Sequence, residues 1–229
     1  MQPLYILFHV MGYMHFRIMN MMKKLIMIAA VLFSGMSLMA EEKALPSADR
    51  SAGMPVMEAF AKRKSVRNFS GRELSQQELG NLLWAAMGQN RADGKLTAPS
   101  CRNFQEIRLF VFGKDGVWEY IPASHSVRQV AAGDHRALVA GGQEFVKSAP
   151  ISLVMIADMT KFGKADERAK MMAAVDAGIV SENISLACAG LGLATVPRAT
   201  MDSAAILKLL GLPENHMAIM NNPVGFEGE

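Results

Sequence analysis

Residues 165–190 read ADERAKMMAAVDAGIVSENISLACAG, the longest stretch of the chain with helical periodicity. Met171, Met172, Val175, Ile179, Ile184, Leu186 and Ala187 surround the helix axis. A helix apolar on most sides is expected to be a buried central one. Asp176, Asn183 and Gly190 fall seven apart on one narrow stripe. Just upstream, ISLVMIA (151–157) is an unbroken apolar run, as in a strand covered on both faces. Earlier still, IRLFVF (107–112), KDG (114–116) and VWEYI (117–121) read as strand, turn and strand. A long helix, a buried strand and a hairpin, without internal repeats, predict an α+β fold.

Working outward, 55–64 opens a helix with Met57, Phe60 and Ala61 at helical spacing. Ser75 and Glu78 have capping-box spacing, and they introduce an amphipathic helix carrying Leu79, Leu82, Leu83, Ala86 and Met87 to a stop near Gly88. Residues 135–147 are read as helical, with Pro150 beyond. The remainder is a short strand at 194–198, a helix at 203–210 closed by Gly211 and Pro213, and a strand at 217–226. Residues 41–53 (EEKALPSADRSAG) read as a polar linker, leaving 54–229 as the folded domain.

Charge separates the first 40 residues from the rest. The 229-residue chain has 24 Lys and Arg against 21 Asp and Glu, a net charge of +3. Residues 1–40 hold three basic residues, no acid and nine of the 19 Met, so 41–229 is neutral. A neutral domain argues against nucleic-acid binding, which needs a basic surplus. Apolar residues at 51% and charged ones at 20% argue against disorder. Two Cys, 101 and 188, build neither a disulfide framework nor a structural zinc site. Residues 21–40 place Lys23 and Lys24 before an apolar run at 25–33, then small residues ending at Ala40. That is the order of a secretory signal peptide cut before Glu41, with Met21 or Met22 as a second plausible start. The apolar run is short for a bilayer span. An exported, periplasmic domain without stable membrane insertion is the expectation.

Three stretches carry candidate chemistry. In RKSVRNF (63–69), three cations and a hydroxyl fall within five residues. If extended, the segment points Arg63, Ser65 and Arg67 to one side. Arginine suits phosphate because its planar fork donates two parallel hydrogen bonds. Taken alone, the stretch also fits a solvated basic turn. In TAPSCRNFQ (97–105), Pro99 and Ser100 stop one segment, and Asn103 and Gln105 offer amides that donate and accept at once. Such groups suit a heterocycle with alternating N–H and C=O edges, and equally a polar loop. Cys101 reads as a packing residue. In GLGLATV (190–196), the glycines permit left-handed geometry, which a plain helix C-cap explains as well. His125, His135 and His216 lack metal-ligand spacing.

The order and spacing of these three motifs resemble the nitroreductase-like flavoprotein family. Residues 74–91 (LSQQELGNLLWAAMGQNR) are similar to its short dehydrogenase-type branch, which includes the thiazole- and oxazole-forming peptide dehydrogenases. The resemblance covers about 54–226. It implies an α+β sandwich with a mostly antiparallel sheet, an intertwined homodimer, and FMN at the interface. It assigns Arg63, Lys64 and Ser65 to the ribityl phosphate region, and Arg67 to the flavin N1 and C2 carbonyl edge. Pro99, Ser100, Asn103 and Gln105 belong to the loop on the pyrimidine rim, with Val196, Pro197 and Gly225 beside the cofactor.

One departure stands out. The family often places a cation after the terminal Gly-aromatic pair, whereas Gly225-Phe226 is followed here by Glu227-Gly228-Glu229. Arg198 is a candidate substitute. The implied activity is hydride or electron transfer through flavin N5, from NAD(P)H or an extracytoplasmic donor, to a small acceptor such as a nitroaromatic or quinone. An exported flavin-binding module without turnover is the alternative. Substrate specificity is expected from the loops around 91–97 and 123–135.

Overall fold

The computed structural model describes residues 41–229, together with Met19 and Met21. The chain divides into two compact units, Met1–Ala40 and Glu41–Glu229. The signal-peptide reading lies outside the described residues, and every named element belongs to the second unit.

In chain order the elements are β1 (Glu42–Ala44), α1 (Val56–Lys62), α2 (Gln76–Met87), β2 (Ile107–Phe112), β3 (Gly116–Ile121), β4 (Ser126–Ala132), α3 (Arg136–Ala140), β5 (Ile151–Asp158), α4 (Glu167–Leu191), β6 (Ala194–Thr195), α5 (Ser203–Leu209) and β7 (His216–Gly225). The strands form one sheet in the order β1-β4-β3-β2-β5-β7-β6. Every neighbouring pair is antiparallel. The expected α+β architecture, with an antiparallel sheet and a long helix, is what forms.

β5 lies inside the sheet between β2 and β7, and its side chains alternate between two cores. Leu153, Met155 and Ala157 pack with Leu82 and Leu83 of α2 and Ala173, Ala177 and Ile184 of α4. Val154 and Ile156 face the other way, toward Phe110, Phe112, Val139 of α3 and Ile206 of α5. Helices therefore cover both faces, which is why the strand needs apolar residues at every position.

The capping box at Ser75 forms as its spacing requires. Ser75 Oγ accepts from the Glu78 N–H at 3.2 Å, and the Ser75 N–H donates to Glu78 Oε2 at 2.7 Å. α4 is long, as expected, but it does not bury all its sides. Asp176, Ala177, Val180 and Ile184 are inside, whereas Met171 and Val175 are 56% and 51% exposed. The expected Asp176–Asn183–Gly190 stripe is a docking line. Asp176 Oδ2 accepts from the Cys101 N–H, Asn183 Nδ2 donates to Ala86 O, and Gly190 O accepts from the Met54 N–H.

Three local expectations change. Residues 42–44, expected in a linker, are an edge strand paired with β4, and the Leu45 N–H donates to His125 O. The charges on this short strand suit an edge and hide its strand character in the sequence. Residues 123–135, expected as a loop, contain β4, where Val127 is buried and Arg128 reaches out to an ion pair. The helix expected over 135–147 stops at Ala140. Gly141 and Gly142 take φ of +53° and +85°, and a separate 3-10 turn follows at Glu144–Ser148. Glycine enters that left-handed region without a Cβ clash, so the helix ends there.

Candidate active site

The 63–69 segment leaves α1 and is tacked down by its apolar residues. Val66 and Phe69 are buried with Ala149 and Ala194. The Val66 N–H donates to Thr195 O at 2.9 Å, and Phe69 bridges to Glu227. With Val66 held inward, Ser65 and Arg67 face solvent and Arg63 is half-buried. Among the described residues, none of these three side chains is hydrogen-bonded. Lys64 enters a cleft of about 140 Å³ that is also lined by Lys62, Ser185, Thr195 and Glu227. There its Nζ lies 2.7 Å from Glu227 Oε1.

The 99–105 loop docks elsewhere on α4. The Cys101 N–H donates to Asp176 Oδ2 at 2.7 Å, and Ser100 Oγ accepts from the Gln105 N–H at 2.9 Å. Gln105 Nε2 donates to Gly94 O at 3.1 Å and to Asn103 Oδ1 at 3.3 Å. Arg102, Asn103 and Gln105 have φ of +50°, +57° and +49°. Three non-glycine residues in left-handed geometry within four positions are costly, and such strain gathers at binding sites. The loop thereby presents an exposed Asn103 amide beside Pro99 and Ser100.

Asp176, beneath this loop, and Ser185 and Cys188, beside Lys64, lie nine and twelve residues apart on one helix. At 1.5 Å per residue that is roughly 14–18 Å. The chain thus presents two separate candidate half-sites, a basic one and an amide one.

A nitroreductase family model matches residues 60–226, which include both half-sites. The chain belongs to the nitroreductase family. It is 30% identical over 178 residues to a Methanocaldococcus jannaschii protein assigned to the nitroreductases, covering 73% of this chain and 89% of that one. A crystal structure of a Ralstonia eutropha protein of the same assignment superposes with a TM-score of 0.77 and 32% identity, over 82% of this chain and 90% of that chain. The NADPH:FMN oxidoreductase of Vibrio harveyi, solved with NAD+, shares the fold at TM-score 0.57 and 22% identity, over 76% and 69% of the two chains. As a nitroreductase, this protein is a flavin-dependent oxidoreductase.

Within the nitroreductase fold the other expected site residues take different places. Val196 is buried and Pro197 half-buried beside the basic segment. Gly225 serves packing, because a Cβ there would lie 2.6 Å from Pro150 Cδ and 3.3 Å from Phe69 Cδ1. Arg198 does not supply the missing C-terminal cation. It is 7% exposed, and its guanidinium donates to Val139 O, Ala140 O, Asn221 Oδ1 and Gln143 Oε1. Four neutral acceptors fix it inside the fold. Burial lowers its pKa from the usual arginine value. His125 is equally structural, held between Tyr120 Oη at 2.9 Å and Pro46 O at 3.0 Å.

The sequence reading missed Glu106, which follows the amide loop directly. It is fully buried, and neither carboxyl oxygen has a hydrogen-bond donor among the described residues. Burial, and then neighbouring Asp176, push its pKa up to about 7. A carboxylate placed between a polar motif and an apolar strand was the available signal.

Proposed function

We propose that this protein binds FMN between two copies of the chain and passes hydride or electrons from a donor to a small organic acceptor, such as a nitroaromatic or a quinone. The observation that carries this reading is the pair of half-sites. Among the described residues, Arg63, Ser65 and Arg67 stand without hydrogen-bond partners at one, and a strained amide loop is displayed at the other. Their chemistry fits the cofactor. Guanidinium groups and a hydroxyl suit a phosphate and an electron-rich ring edge, and Asn103 suits a pyrimidine rim.

Bound FMN would supply the redox chemistry at its N5. The chain's own residues would do the rest. Arg63, Lys64 and Ser65 would hold the phosphate end. Arg67 would place positive charge at the N1 and C2 carbonyl edge, favouring the reduced, negatively charged cofactor. Asn103, steadied by Gln105, would fix the ring's orientation.

In an isologous dimer, a two-fold axis would set one protomer's amide loop against the other's basic segment. Val56, Met57 and Phe60 of α1 and Met171 and Val175 of α4 are exposed at 51% to 74%. A soluble domain more often covers such side chains with a partner. The 21–40 sequence supports export, and with it a donor other than cytoplasmic NAD(P)H, such as a quinol or a redox protein.

Purified protein should be yellow or become so with FMN, and should run as a dimer in size-exclusion chromatography. Anaerobic addition of NAD(P)H or a reduced quinone should bleach it, and a nitroaromatic or quinone should restore the colour. A colourless protein that ignores added FMN defeats the proposal. Bound flavin that no donor bleaches would favour the second reading, a flavin-binding module without turnover. The Lys64–Glu227 pair, which occupies a phosphate cation with an acid, supports that second reading.

A further inference from the structure

Glu106 sits where the amide loop meets β2, and it is the most fully enclosed acid among the described residues, with no exposed surface. Asp176 of α4, beside it, is 5% exposed. Two buried carboxylates side by side are too costly unless a cation or a proton intervenes. Among the described residues, no cation is directed at the pair. Arg108, two residues beyond Glu106, is turned to Glu119 of β3 at 2.7 Å and to His216 of β7 at 3.4 Å. Arg102 in the loop is exposed. β5 contributes only the Asp158 N–H, donated to the Glu106 backbone oxygen. The small cavity beside Asp176 is lined by Met87, Ile107, Val180 and the loop itself. The two acids also differ in their donors. Asp176 receives the Cys101 N–H at 2.7 Å, whereas nothing among the described residues donates to the Glu106 carboxyl. A proton on Glu106, donated to Asp176, satisfies both.

We propose that Glu106 is the positioning residue of the 99–105 loop: as a neutral acid it hydrogen-bonds Asp176, Asp176 holds the Cys101 N–H, and loss of the proton releases the loop. The loop needs such a clamp, because Arg102, Asn103 and Gln105 all hold left-handed geometry. With a second negative charge beside it, the Asp176 carboxylate is pushed toward water, and its bond to Cys101 is the contact that must break to let water in. Glu106 is raised from an ordinary 4.5 to about 7. Its contribution is therefore complete below pH 4.5, declines as pH rises through 7, and is gone above. The consequence for flavin binding rests on the function proposed above, since Asn103 would then lose its fixed orientation.

The test is amide hydrogen exchange of residues 99–105 in the purified protein from pH 5 to 8, corrected for the intrinsic rate. The opening of the Cys101 amide should increase at least tenfold across that range. In Glu106→Gln, which keeps a neutral donor of the same shape, it should stay within twofold. A flat wild-type profile, or the same slope in the variant, overturns the proposal. Infrared spectra of the wild type give a second measure that does not depend on the variant's folding. A protonated-carboxyl band should disappear with the same midpoint as protection is lost, and absence of that band at pH 5.5 would also refute the clamp. FMN affinity, followed by quenching of flavin fluorescence, should fall with that midpoint in wild type and not in Glu106→Gln. Failure of all FMN binding counts against the proposed function, while exchange still decides the clamp. A pH-dependent loop with constant FMN affinity removes its functional half.

Discussion

Glu227 reaches Lys64 across 163 positions of sequence, and the pair measures the distance between a motif and a site. As a motif, RKSVRNF displays three cations. In the fold, one of them already has an acid 2.7 Å from its Nζ. The pair is more than half exposed on both sides, so it is worth no more than about 1 kcal/mol. Glu227→Gln should therefore tighten FMN binding by about two- to fivefold, measured by fluorescence titration, and the gain should shrink in high salt. Arg198 shows the opposite case, a cation withdrawn from chemistry by its acceptors. Arg198→Lys cannot reach four acceptors that lie in different directions; the Val139 carbonyl loses its donor, and Ala140 O keeps only the Gln143 N–H. It should cost about 3 kcal/mol in urea unfolding. If the loss is below about 1 kcal/mol, the guanidinium is not what ties α3 to β7.

At the scale of elements, α4 organises the rest through its stripe. Asp176, Asn183 and Gly190 each fasten a different segment, namely the amide loop, the end of α2 and the approach to α1. Over fourteen residues this line runs about 21 Å, long enough to keep the half-sites apart. The stripe was visible as a seven-residue spacing, but not the segments that dock on it. Helix α2 is the contrasting case, since both partners of its cap lie within four residues. Ser75→Ala should lose the bond to the Glu78 N–H and lower stability by about 1 kcal/mol, seen as a shifted urea midpoint with unchanged slope. α3 shows how a local signal is overridden, because Gly141 and Gly142 end a helix that apolar spacing alone would have continued.

For the whole molecule, two buried acids should shape stability against pH from opposite sides. Burial of Glu119 by itself would raise its pKa, but hydrogen bonds from Arg108 at 2.7 Å and Arg128 at 2.6 Å outweigh it and hold the group below its ordinary 4.5. Glu119 therefore stabilises the fold above pH 4.5, and that contribution is lost as pH falls through its lowered value. Glu106, raised to about 7, acts in reverse and withdraws its support between pH 4.5 and 7. Thermal melting should accordingly peak in the mildly acidic range and decline on both sides. Glu106→Gln should flatten the neutral limb and leave the acid limb unchanged. A melting temperature that climbs steadily from pH 5 to 8 in wild type would contradict these opposed roles.

Local signals were enough for the α+β class, the buried strand, the hairpin, the long helix and the capping box, because each depends on periodicity or on bonds spanning a few residues. The family resemblance was also legible, through short motifs in a fixed order. Edge strand β1 was not, since three charged or small residues become a strand only when β4 lies alongside. The same holds for the site. Which residues are cationic or amide-bearing is written in the chain. That Lys64 is paired, Arg198 enclosed, Gly225 pressed against Pro150 and Glu106 left beside Asp176 was decided by tertiary structure, because charge, burial and hydrogen-bond partners depend on groups brought together from distant positions.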